Sequence, residues 1–124
     1  MMCATVNQDD LICESHIRNL QRANIAQNLC AAAFGVSHAR LGVQTRGNAQ
    51  TALARQLAMY LAHVGFEMSL AQTAIAFGRD RSTVAYACHR IEDLREDEAF
   101  DRWVAELEAM VHDLDRTPPI PGGR

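Results

Sequence analysis

Residues 77–92, FGRDRSTVAYACHRIE, place Arg79, Asp80, Arg81, Ser82 and Thr83 at the entrance of a helix pattern. A helix N-cap needs only one Ser, Thr or Asp, so four of these five polar groups want another use. Each type can read DNA. Arginine grips guanine O6 and N7 through two hydrogen bonds, aspartate accepts from cytosine N4, and threonine touches a thymine methyl or a phosphate. The free N–H groups and positive dipole end of a helix N-terminus also favour phosphate. The alternative from the residues alone is that Asp80 or Ser82 is the N-cap, Arg79 pairs with Asp80, and the rest is solvated surface.

At about 100° per residue, Val84, Ala87, Cys88, Ile91 and Leu94 gather on one side of the following helix and belong in a core. Ser82, Tyr86 and His89 project from the other side, flanked by Arg81 and Arg90. Upstream, Ser69 with Gln72 matches a capping box, opening a short helix through Leu70, Ala74 and Phe77 that stops at Gly78. A short helix, a tight turn and a longer helix have the anatomy of a helix-turn-helix.

The remaining elements follow from periodicity. Leu53, Leu57, Tyr60, Leu61 and Val64 form one stripe of a helix over residues 49–64, ended by Gly65. Before it, Ile17, Leu20, Ala23, Ala26 and Leu29 recur along a first helix over residues 11–34, with Gly35 as its stop. Ser37 caps a very short helix at residues 38–41, and GVQTRGNAQ, residues 42–50, is a loop carrying Arg46. Phe100, Trp103, Leu107, Met110 and Leu114 mark a C-terminal amphipathic helix within the acidic stretch 96–115. The expected organisation is a disordered N-terminus at 1–10, one helical domain at 11–115, and a disordered Pro/Gly tail at 116–124.

A chain of 124 residues supports one domain with a modest core. Its prolines, Pro118, Pro119 and Pro121, all fall in the last seven residues, so none breaks a helix upstream and an all-α body is favoured. The net charge of −3 is unevenly spread: residues 1–39 carry −1, residues 40–95 carry +3, and residues 96–124 carry −5. A basic centre beside an acidic C-terminal helix suits DNA binding on one face. No apolar run reaches the length of a membrane span and the first ten residues lack the pattern of a signal peptide, so the expected location is cytoplasmic, with the nucleoid. The cysteines at 3, 13, 30 and 88 form no C-x-x-C pair and no zinc spacing with histidine, and read as small buried hydrophobes. Cys88 and His89 are neighbours on a helix and point about 100° apart, so they make no nucleophile–base pair, and no enzyme is expected. No cofactor, metal or nucleotide is expected either.

GRDRSTVAYACHRIE closely resembles the signature of the C-terminal DNA-binding domain of DnaA, the bacterial replication initiator, whose usual pattern is Gly-Arg-Asp-His-Thr/Ser-Thr-Val followed by Ala and a Lys/Arg-Ile pair. ARQLAMYLAHVGFEMSLAQTAIAF and AAAFGVSHARL are similar to the segments that precede it, so the resemblance spans roughly residues 20–95. It implies an all-α, Trp-repressor-like helix-turn-helix domain, here with an added C-terminal amphipathic helix, that binds double-stranded DNA as a transcriptional regulator or a modulator of replication initiation. By this resemblance Asp80, Arg81, Ser82 and Thr83 touch bases or phosphates in the major groove, Arg79 is a phosphate or structural partner, Arg46 reaches the minor groove, and His63 stands near a backbone-facing lysine. Ser69 opens the first helix of the motif.

Three departures bear on function. Arg81 replaces the usual histidine, which exchanges a ring for a guanine-reading fork and shifts the expected sequence preference. The loop at 42–50 has one arginine where the family has several basic residues, which predicts fewer phosphate contacts and a shallower salt dependence. No G-x-x-x-x-G-K-[ST] is present, so the initiator's ATP-driven step is not expected of this chain. The competing expectation is a protein-interaction module that keeps the fold without specific DNA binding, with the C-terminal helix docking a partner or a second copy in a homodimer.

Overall fold

The computed structural model describes residues 8–35, 49–116 and 121, and side chains from Glu14 onward within them. Five helices run in order: α1 (Gln8–Phe34), α2 (Ala49–Tyr60), α3 (Leu70–Phe77), α4 (Arg81–Leu94) and α5 (Glu98–Asp115). The segment Leu61–Gly65 continues α2 as a wider π turn. No strand occurs among the described residues, and the architecture is all-α, as the proline-free body implies. The expected short helix at 38–41, the loop arginine Arg46 and most of the tail lie outside the described residues.

The central element is α2, which packs against α1 on one side and α4 on the other. Its burial therefore runs nearly all round by the C-terminal end, where Leu57, Ala58, Met59, Tyr60, Leu61 and Ala62 are all buried. The expected stripe fails at Val64, which is 40% exposed. The physical reason is the π turn: the Phe66 N–H bonds back to Leu61 O at 3.0 Å, one residue further than in an α-helix, and this rotates Val64 away from the core. Nor is Gly65 a left-handed stop. Glu67 takes that conformation (φ 59°), and the turn drives Phe66 and Met68 into the core.

α1 begins at Gln8, three residues before the expected start and inside the stretch expected to be disordered. Its buried face is Asn19, Ala23, Ala26, Cys30 and Ala31, mostly small side chains that let the neighbouring helices approach closely. Ile17 and Leu20 were expected on this face but are 49% and 41% exposed. Side chains 14–18 are all exposed, and this part of α1 borders an open groove beside α3 instead of packing its apolar periodicity into the core.

Both ends of α3 are fixed by local chemistry. The Ser69 hydroxyl accepts from Gln72 N–H at 3.0 Å while the Gln72 side chain accepts from Ser69 N–H at 2.9 Å, completing the capping box. At the other end Gly78 is left-handed (φ 65°), its N–H bonding to Ile75 O at 3.2 Å, and Arg79 N–H bonds to Ala74 O at 2.9 Å. This is a Schellman motif, which needs a residue tolerant of positive φ at the turn. α5 starts where Asp97 accepts from Phe100 N–H at 3.0 Å, two residues inside the acidic stretch. It lays Val104, Leu107 and Val111 into the core, leaving Met110 and Leu114 about half exposed, and sets Trp103 edge-on to Phe34 with centroids 5.4 Å apart.

Candidate nucleic-acid interface

The turn between α3 and α4 delivers five polar side chains to the start of α4. Asp80 occupies the N-cap position with extended backbone (ψ 153°), yet its side chain makes no capping hydrogen bond. Ser69 and Asp97, in the same position on α3 and α5, both do. The capping explanation of this cluster therefore fails for the one residue placed to cap. Arg79 and Asp80 form no ion pair, and among the described residues Asp80, Arg81, Ser82 and Thr83 have no side-chain hydrogen-bond partner; all four are exposed.

Packing fixes which way α4 presents itself. Val84, Ala87, Cys88 and Ile91 are buried against the other helices, as the helical wheel requires. That leaves Arg81, Ser82, Tyr86, His89 and Arg90 outward, with Tyr86 61% exposed, an uncommon state for a large aromatic without a partner. His89 sits 3.9 Å from Glu92 with both side chains mostly in solvent, a contact too loose to hold the ring. One exposed edge thus carries arginine forks, hydroxyls, a carboxylate and a phenol, the donor and acceptor types that read base edges and phosphates.

Two of the sequence-derived candidates have structural attachments. The ring Nδ1 of the half-buried His63 lies 2.6 Å from Met68 O and so donates to it, bracing the turn around Glu67 that leads into α3. The Ser69 oxygen accepts from the Gln72 backbone, and its hydroxyl proton remains to donate outward. Arg46 lies outside the described residues.

The structure also brings in Arg55, which was not among the candidates. Its guanidinium, carried on α2, has its pKa lowered, first by burial and second by the positive charge of Arg79. The positive charge of Arg79 thus reaches Arg55 from a separate element, and a nearby anion would relieve the repulsion. The signal was present in the Arg-Gln pair at the start of ARQLAMYL, but the spacing alone gives no indication of Arg79. Conversely Arg95, which contributes to the positive charge of the middle segment, is engaged by Tyr60, Asp101 and Glu108 and is not available to DNA.

Other features are separate from this edge. Surface grooves lie between α1 and α3, lined by Ser15, His16, Asn19, Gln72 and Ile75, and between α1 and the end of α5. Among the described residues no group of three His, Cys, Asp or Glu side chains is placed to hold a metal ion, and no helix is long and apolar enough to cross a membrane.

Residues 23–91 match the family described as the bacterial dnaA protein helix-turn-helix. The chromosomal replication initiator protein DnaA 2 of Chlamydia pneumoniae is 46% identical over 63 residues, 48% of this chain and 14% of that protein. The chromosomal replication initiator protein DnaA of Tropheryma whipplei (strain Twist) is 47% identical over 51 residues, 39% of this chain and 11% of that protein. The chain thus spans a small fraction of the length of these relatives. Among solved structures, a DNA replication initiation factor aligns with a TM-score of 0.73 and 25% identity, over 82% of this chain and 32% of that one. A replication initiator DnaA bound to AMPPCP and single-stranded DNA aligns with a TM-score of 0.69 and 27% identity, over 81% of this chain and 30% of that one.

Proposed function

The chain belongs to the bacterial DnaA helix-turn-helix family, and from that premise we propose that it binds double-stranded DNA sequence-specifically, with the N-terminal end of α4 in the major groove. The observation that carries this reading is the open start of α4: Asp80 stands at the cap position without capping, and Arg81, Ser82 and Thr83 are exposed and have no side-chain hydrogen-bond partner among the described residues. In this reading Arg81 and Asp80 read base edges, Ser82 and Thr83 contact a methyl or a phosphate, and Tyr86, His89 and Arg90 extend the contact along α4. Arg55 and Arg79 contribute positive charge beside a backbone phosphate, while Ser69 and the ring of His63 stand next to the backbone at the first helix of the motif. Arg46 supplies the minor-groove contact.

The biological role proposed is control of replication initiation or of transcription at sites of the initiator type, with the protein associated with the nucleoid. Fluorescence anisotropy with duplexes that carry initiator-type boxes, compared with scrambled duplexes at ~0.15 M salt, tests the reading. A clear preference for a box or a variant of it is expected. Equal affinity for both duplexes would exclude specific reading and leave a helical interaction module.

A further inference from the structure

We infer that Arg95 is a positioning residue for DNA reading: it ties the C-terminal end of α4 to α2 and α5 and so sets the angle at which the polar N-terminal end is presented. The inference rests on α4 being the helix that reads DNA.

Arg95 directly follows α4, and its guanidinium makes three contacts with other elements. Nε donates to Asp101 Oδ1 at 2.6 Å, and one terminal nitrogen donates to Glu108 Oε2 at 2.9 Å and to Tyr60 Oη at 3.0 Å. The guanidinium carbon also lies 6.0 Å from the Tyr60 ring centroid. The side chain is only 20% exposed. Burial opposes its charge, but the bonds to Asp101, Glu108 and Tyr60 outweigh this and its pKa is raised. A planar guanidinium held through Nε and one terminal nitrogen to two different elements fixes direction as well as position.

The clamp sits at the opposite end of α4 from the polar cluster, so it acts at the far end of a lever. Of the buried side chains of α4, Val84, Ala87 and Cys88 are small, and the larger Ile91 lies close to the clamp. A helix of this length spans about 20 Å, so a tilt of ~10° about the clamped end displaces the reading end by about 3.5 Å. That displacement exceeds the length of a hydrogen bond. Tyr60 is the last residue of α2 before the π turn, and that turn leads to His63, Met68 and the cap of α3. The same clamp therefore joins the end of the recognition helix to the segment that launches the first helix of the motif, and α5 takes part through two of its carboxylates.

The test uses the full chain with Arg95→Met, Arg95→Lys and Glu108→Gln. Nitroxide labels on Asn28→Cys and Thr83→Cys, with Cys3 and Cys13 replaced by serine, report the distance from α1 to the start of α4. For Arg95→Met a shift or broadening of about 2 Å or more is expected from the lever length. The affinity ratio between the preferred box and a scrambled duplex should fall at least tenfold, while affinity for the scrambled duplex changes less than threefold. Arg95→Lys and Glu108→Gln should show the same changes at smaller amplitude, and they decide the matter if Arg95→Met does not fold. An unchanged distance, or a changed distance with the box preference intact, overturns the inference in favour of a purely stabilising ion pair. Wild-type protein without any duplex preference sinks the DNA-reading premise instead, and the distance measurement then still decides whether Arg95 sets the angle of α4.

Discussion

Gly65 and Val111 meet where there is no room for another carbon: a Cβ on residue 65 would lie 2.9 Å from Val111 Cγ1. The contact joins the π turn after α2 to the fully buried face of α5, and the β-branched valine has little rotamer freedom with which to yield. Gly65→Ala gains helix propensity of up to about 1 kcal/mol but overpacks the core by ~1–3 kcal/mol. A net loss of stability is expected in urea denaturation. Adding Val111→Ala makes room for the methyl, so the double mutant should lose less than the sum of the two single mutants.

Two left-handed residues bracket α3, and substitution should affect them unequally. Gly78→Ala puts a Cβ at φ 65°, which costs ~1–2 kcal/mol and loosens the turn of the helix-turn-helix. Glu67 already carries that strain at φ 59°. Glu67→Gly relieves it but increases the freedom of the unfolded chain, so its stability should stay within ~1 kcal/mol of wild type. A Gly78→Ala protein as stable as wild type would contradict the Schellman assignment.

Asp80 and Asp97 occupy equivalent cap positions with unequal consequences. Asp97→Ala removes the bond from Phe100 N–H and should cost ~1 kcal/mol in thermal or urea unfolding. Asp80→Ala breaks no hydrogen bond and forfeits only the weak attraction of a carboxylate for the helix dipole, ~0.3–1 kcal/mol. Loss of box preference with nearly full stability is expected for Asp80→Ala. A stability loss equal to that of Asp97→Ala would mean that the aspartate is structural.

Local signals explain why so much of the helix-turn-helix was legible in the sequence. The capping box at Ser69, the glycine at 78 and the apolar face of α4 each depend on residues within one or two turns, so spacing identifies them. What spacing missed depends on partners far along the chain. Val64 turns outward because the helix widens at residues 61–65, Ile17 lies outside the buried face of α1, and Gly65 is small because Val111 arrives from α5. His63 finds a carbonyl five residues on, across an irregular turn, and Arg95 draws its partners from α2 and α5. Even the failure of Asp80 to cap could not be read from its type, which favours capping.

The buried thiols predict a stability loss at high pH. Burial pushes Cys30 up to about 12, and burial first and Glu92 second push Cys88 up to about 11, against an ordinary value of 9.0. The unfolded chain releases these protons at lower pH than the folded one, so their contribution to stability is fully present below about 9 and is lost as pH rises through 11 to 12. Urea midpoints should fall across that window, with a smaller fall in Cys30→Ala once its own cavity cost is taken as the baseline. Peptide mapping after alkylation at pH 8 should find Cys30 and Cys88 unmodified in the folded protein.

Arg81 carries the sharpest prediction about DNA. It is exposed at the first position of α4 and has no hydrogen-bond partner among the described residues, so removing it should hardly change stability. A guanidinium bound to guanine O6 and N7 is worth ~1–3 kcal/mol of discrimination, and Arg81→Ala should lose about that much at the preferred box while binding scrambled DNA almost as before. Arg81→His restores the family's usual residue and should move the preference away from a guanine at the contacted pair rather than abolish it. Arg46→Ala, by contrast, should weaken all duplexes similarly and lower the slope of log affinity against log salt by about 1. Anisotropy titrations on a box with each base pair varied in turn separate the two patterns. If Arg81→Ala weakened every duplex equally, Arg81 would be a phosphate contact, and the sequence preference of this chain would have to come from Asp80, Ser82 and Tyr86.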